Sequence, residues 1–120
     1  MVSACVVLGA SAGSASRELS AEQESGREIY NVQCGICHAG NTITAPTLHG
    51  LIGRRVASIP HQHSPVFREA DFIWTEEILD AYIEDPQGMM PGNWMAHYGI
   101  ADPAERRALI AFIKVLAAGE

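Results

Sequence analysis

The sequence predicts an all-α domain, with three main helices joined by long loops. Three segments each pair a helix cap with apolar residues at helical spacing. No segment alternates apolar and polar residues as a half-buried strand does, and the stretches between the helices are dense in Gly, Pro, Ser and Thr.

The first helix opens at Ser20, which with Gln23 forms an S-x-x-Q capping box. Gly26, Ile29 and Tyr30 share one inward face, and the helix is expected to run to about Gln33 and deliver Cys34 at its end. Residues 40–72 carry no sustained periodicity and predict long loops with at most a short helical turn. A loop of that length is uncommon in a compact domain unless it wraps something. Thr75 caps the second helix, "EEILDAYIED"; Glu76 and Glu77 complement the positive end of its dipole and Pro86 stops it. Ile78, Leu79, Tyr82 and Ile83 fall on one face of that helix. The stretch "PQGMMPGNWMAHYG" reads as another loop. The third helix begins at Asp102, as cap, with Pro103 at the first helical position, and buries Leu109, Ile113, Leu116 and Ala117.

At 120 residues the chain is one domain. Its net charge of −6, with a single lysine at Lys114, argues against nucleic acid and anionic membrane surfaces, which are bound through basic patches. The run Ala4 to Ala10 is apolar, leads into small residues and is too short for a membrane span. Residues 1–16 therefore read as an export signal, leaving 17–120 as a single periplasmic domain with no membrane span. Cys5 would leave with the leader, so the mature chain would keep only Cys34 and Cys37.

Those two cysteines and His38 form "CGICH". A disulfide between them would close a loop too small to staple a fold. A zinc half-site could recruit His49, His61 or His63, but no second C-x-x-C follows, and a thioredoxin-type couple belongs beside a βαβ pattern that is missing here. Two thiols at this spacing can each add across a vinyl group of one porphyrin, while the adjacent imidazole reaches the iron from the same side. The pentapeptide alone favours haem attachment and leaves the zinc and redox readings open.

The surrounding landmarks narrow it. "GREIY" precedes "CGICH"; "APTLHGLIGRR", "FIWTEEILDAYIEDP", "MPGNWMAHYGI" and "ERRALIAFIKVL" follow in order. With these the chain resembles class I cytochrome c, the group of mitochondrial cytochrome c and its bacterial relatives, over nearly all of the expected mature length. The resemblance implies a cytochrome c fold: three main helices and long loops wrapped around one covalent haem c. It implies Cys34 and Cys37 as the thioether cysteines, His38 as the proximal iron ligand, and Pro46 as the residue whose carbonyl accepts from that histidine. Met95 takes the distal position, with Met89 and Met90 as competitors. Arg54 and Trp74 correspond to donors to a buried propionate, Asn93 stands where a propionate-binding threonine is usual, and Tyr82 is placed to touch the methionine sulfur. Gly26 and Tyr30 would sit where the first helix crosses the last.

The function implied is that of a soluble, monomeric one-electron carrier, not an enzyme, shuttling between respiratory or other redox proteins. The competing reading is a small haem protein with weak distal ligation that acts as a peroxidase or binds NO or CO. Departures from the family pattern concern the expected haem edge. Gln87, Gly88 and Trp94 stand where mitochondrial members carry lysines, and His97 replaces a phenylalanine, where it would titrate near neutral pH and couple to the iron potential. His61 and His63 read as part of a solvated loop. The identity of the partner does not carry over.

Overall fold

The computed structural model describes residues 18–39 and 45–119, so the expected leader over 1–16 and Cys5 lie outside the described residues. Helix α1, Ala21–Ile29, starts from a reciprocal capping box: Ser20 Oγ accepts from the Gln23 amide at 3.1 Å and Gln23 Oε1 accepts from the Ser20 amide at 2.8 Å. The helix does not end near Gln33. It widens into a π-helical turn, Tyr30–Cys34, closed by the Gly35 amide on the Tyr30 carbonyl, and continues as a short helix α2, Gly35–His38. A π-turn inserts one extra residue per turn and so re-aims the side chains that follow it. Here it lies between the residues that pack on the last helix and the C-x-x-C-H segment.

Among the described residues of the long middle loop one helical turn forms, α3, Pro65–Glu69. Backbone bonds join residues 53–56 to 72–74: Gly53 N–H to Trp74 O at 2.8 Å, Trp74 N–H to Arg54 O at 2.9 Å and Val56 N–H to Phe72 O at 2.9 Å. These leave one isolated antiparallel bridge, Arg55–Ile73, and no strand among the described residues. Helix α4, Glu76–Glu84, is capped by Thr75 Oγ1 accepting from the Ile78 amide at 3.2 Å and buries Leu79, Tyr82 and Ile83. Pro86, expected only to stop it, also starts a new helical turn, α5, Pro86–Met89, with Asp85 Oδ1 accepting from the Gly88 amide at 3.0 Å. Proline suits that role because its missing N–H would be unbonded at the first helical position anyway.

Helix α6, Pro103–Gly119, begins with Asp102 Oδ1 accepting from the Ala104 amide at 2.9 Å. Its Leu109 and Ile113 are among the most deeply buried side chains. It crosses α1 at Gly26, where the Tyr30 and Phe112 rings meet at 5.3 Å. Arg106, unremarked in the sequence, is buried on α6 and ties three pieces together. Its Nε donates to Asp80 on α4 at 2.8 Å, and one terminal nitrogen donates to the Ile100 and Ala101 carbonyls at 2.9 and 2.8 Å. The helices thus form a frame, and the loops before α4 and after α5 are held across its open side.

Candidate haem site

Between helices and loops lies a cavity of about 490 Å³ with mostly apolar walls, among them Leu51, Leu79, Leu109 and Ile113. This is the size range of cofactor pockets. Cys34, Cys37 and His38 line it from the end of the π-turn and from α2; Met95 and Tyr82 line it from the distal loop and α4.

His38 Nδ1 lies 2.7 Å from the Pro46 carbonyl. A carbonyl only accepts, so Nδ1 carries the hydrogen and Nε2 keeps a lone pair. Burial lowers the pKa of this imidazole, while the bond to Pro46 works in the other direction, so the ring favours the neutral form a metal ligand needs. Cys34 is half-buried, and burial, then the neighbouring Cys37, push its thiol up to about 11. Reactive redox pairs show the reverse shift. Among the described residues no group of three or more His, Cys, Asp or Glu side chains is placed to hold a metal ion.

Of the three candidate methionines, Met95 lines the cavity and Met89 and Met90 do not; Met90 is buried in the core cluster, against which Met89 and Met95 both pack. The Met95 sulfur is 3.3 Å from the Tyr82 hydroxyl, which also lies 3.1 Å from Asn93 Oδ1. One hydroxyl proton serves both acceptors. Asn93 Oδ1 further accepts from the Met95 amide at 2.8 Å, and Asn93 Nδ2 donates to the Pro86 and Met90 carbonyls, both at 2.9 Å. Asn93, which stands where a propionate-binding threonine is usual, uses its amide within its own loop. The residue is 6% exposed, both amide hydrogens are engaged within its own loop, and it shapes the segment that carries Met95.

Arg54, Trp74, His61, His63 and Ser64 also line the cavity. Arg54 donates to the Thr47 and His49 carbonyls at 2.9 and 3.3 Å, and burial lowers its pKa. The Trp74 ring is buried against Phe72 and Tyr82, at centroid distances of 5.0 and 5.5 Å. Ser64 was missed in the sequence. It is 3% exposed, and its Oγ is the buried side-chain polar atom without a hydrogen-bond partner among the described residues. A buried hydroxyl left unbonded costs about 1–3 kcal/mol, so this donor, lining the same cavity as Arg54, fits a carboxylate entering it. His61 and His63 are half-buried in their loop with rings 5.1 Å apart, and His63 Nε2 lies 3.1 Å from the Ile59 carbonyl. His97 is engaged on both nitrogens: Nδ1 accepts from the Gly99 amide at 2.9 Å, so Nε2 carries the hydrogen and donates to Gln33 Oε1 at 2.9 Å.

Burial holds the Tyr82 phenol well above its ordinary value near 10. The folded protein therefore keeps a proton that the unfolded chain releases once the pH passes about 10, and its contribution is full below that point and lost above it. Tyr82→Phe is expected to cost about 1 kcal/mol at pH 8 for the lost hydroxyl bonds. Above pH 10 its stability should fall less steeply than that of the parent, by up to about 1.4 kcal/mol per pH unit. Urea melts between pH 8 and 11 measure this, and equal slopes would refute it.

An apolar cavity, C-x-x-C-H on its wall, an imidazole held by a carbonyl, and polar donors among its lining residues mark a helical protein built around covalently attached haem. Comparison with known proteins gives the family. The cytochrome c family model matches residues 23–117. Cytochrome c type-1 of Ascaris suum is 34% identical over 78% of this chain and 87% of its own length. Cytochrome c2 of Rhodopila globiformis is 32% identical over 76% of the chain and 90% of its own. The cytochrome c-type cyt cy of Rhodobacter capsulatus is 31% identical over 82% of the chain but 51% of its own length. The chain belongs to the cytochrome c family, as a class I member: an electron carrier, not an enzyme, with covalent haem c and redox partners. No helix among the described residues is long and apolar enough to cross a membrane.

Proposed function

We propose that Cys34 and Cys37 hold the haem through thioether bonds, that His38 and Met95 ligate its iron, and that the chain passes single electrons between redox proteins without binding a substrate. The observation that carries this reading is that both candidate ligands are held in place, the His38 ring by the Pro46 carbonyl, the Met95 sulfur by the Tyr82 hydroxyl and the Met95 backbone amide by Asn93. The haem supplies a one-electron iron couple, which a thioether ligand shifts towards the ferrous state. Pro46 fixes the His38 tautomer and raises its basicity as a ligand. Tyr82, by donating to the sulfur, draws electron density away from it. Arg54, Trp74 and Ser64 would offset the charge of a propionate taken out of water. Residues 1–16 would serve as the export signal and 17–120 would work in the periplasm as a monomer.

Absorption spectra of the oxidised and reduced holoprotein test the ligation. The long-wavelength iron–sulfur band should be present in the oxidised parent and absent in Met95→Ala, with a lowered potential. A band that survives in Met95→Ala would move the ligand to Met89 or Met90. A parent lacking the band would favour the open-site reading, a peroxidase or gas binder. Mass spectrometry of periplasmic protein should find residues 1–16 removed.

A further inference from the structure

Charge is distributed unevenly along the chain. Residues 29–53 and 86–101 contain no Asp, Glu, Lys or Arg, although the protein carries 14 acidic and 8 basic side chains. The first segment holds the π-turn, Cys34, Cys37 and His38; the second holds Met95. The structure brings the two together. His97 of the second donates to Gln33 of the first at 2.9 Å, and both residues line the cavity. The cavity reaches the surface here, because Cys37 and Trp94 line it and are themselves exposed.

The same two segments carry four of the five large apolar side chains exposed among the described residues: Val32 at 70%, Ile36 at 81%, Trp94 at 61% and Tyr98, fully exposed. The fifth, Ile73, lies elsewhere, at the Arg55 bridge. Eight of the 14 acidic residues sit instead on the three main helices: Glu22, Glu24 and Glu28 on α1, Glu76, Glu77, Asp80 and Glu84 on α4, and Glu105 on α6. An acidic protein has thus kept every charge out of the segments that frame the cavity mouth and has placed apolar side chains there.

We infer that Val32, Ile36, Trp94 and Tyr98 form the docking face for a redox protein whose own contact surface is apolar and uncharged, so that electron transfer is insensitive to salt. The inference rests on the proposed attachment of the haem at Cys34 and Cys37, which puts its edge at this mouth. Charge complementarity selects the partner. A basic surface would find no carboxylate on either segment to pair with and would bury its own charges at a cost, while an acidic surface would be repelled by the net −6. Aromatic anchors such as Trp94 and Tyr98 are the side chains that give most in such contacts. Without steering charges, association should proceed near the unsteered rate of about 10⁵–10⁶ M⁻¹s⁻¹.

The test uses the holoprotein on gold electrodes coated with alkanethiol films. One film mixes methyl and hydroxyl ends; the others end in amine or carboxylate. The neutral film should give the fastest electron transfer, unchanged from about 10 mM to about 1 M salt, over which the Debye length falls from about 30 to about 3 Å. Val32→Glu and Tyr98→Glu should each slow it about tenfold or more, since each puts an unpaired charge into the contact, and Ile73→Glu should leave it unchanged. Transfer confined to the amine film and abolished by salt would overturn the inference in favour of a basic partner. Equal rates for all three variants would overturn it by showing that the face is unused. A parent that sediments as a dimer, with Val32→Glu and Tyr98→Glu monomeric, would show that a second copy covers the face. The visible spectrum separates these outcomes from a failure of the ligation: a missing iron–sulfur band in the parent defeats the haem reading, while an intact band with unaffected rates defeats only the docking face.

Discussion

A chain carrying both Cys34→Ser and Cys37→Ser is expected to lose its cooperative unfolding transition and most of the helical circular-dichroism signal of the holoprotein. The reason is the cavity. At about 490 Å³ it is large for a chain of 120 residues, and its walls are the core: Leu51, Leu79, Leu109 and Ile113 all face it. Left unfilled, a void of that volume would cost at most roughly 12 kcal/mol at about 24 cal/mol per Å³. That matches the whole stability of a typical domain, about 5–15 kcal/mol. The haem is in this sense part of the core, and without the thioether bonds its occupancy depends on non-covalent affinity alone. Thermal melts followed at 222 nm, with haem content measured on the same samples, check the expectation. A haem-free double variant that melts cooperatively near the parent would show that the cavity is not what haem fills.

The helices were legible because their ends are set by local chemistry. Ser20 with Gln23, Thr75, and Asp102 with Pro103 each meet the unbonded amides of a first turn, and each does so in the structure. The link from His38 to Pro46 was implied by family resemblance, and the geometry carries it at 2.7 Å. What stayed hidden depends on distant partners. The π-turn at Tyr30 has no local signature, since it lies where the Tyr30 ring packs on Phe112 of the last helix. Arg106 carries no signal in the sequence, yet it is buried and bonded to Asp80 and to the Ile100 and Ala101 carbonyls. Asn93 was assigned by correspondence with a threonine, and an amide can satisfy two carbonyls of its own loop as a hydroxyl cannot. Ser64 offered only its position in a polar stretch; burial singled it out. The charge-free segments were readable throughout, but only the bond from His97 to Gln33 shows that they share one face.

The crossing of α1 and α6 supports the other large effect: Gly26→Ala is expected to destabilise the holoprotein by at least about 2 kcal/mol. Replacing a helical glycine by alanine ordinarily stabilises by up to about 1 kcal/mol, so the sign alone is diagnostic. A Cβ on residue 26 would collide with the backbone carbonyl of Ala108 and come within 2.9 Å of Phe112 Cβ. Neither obstacle is the flexible end of a side chain. The helices must separate, which loosens Tyr30 from Phe112 one turn further along and disturbs the π-turn that precedes Cys34. Overpacking of this kind costs about 1–3 kcal/mol, and more when backbone is involved. At about 4–8 °C per kcal/mol, the midpoint should drop by roughly 10 °C or more. Gly35→Ala is the matched control, because its Cβ would make only an ordinary contact with Tyr30 at 3.4 Å and its backbone is already helical. It should fall within about 1 kcal/mol of the parent. Equal midpoints for the two variants would mean that the close approach of α1 to α6 does not hold the haem frame together.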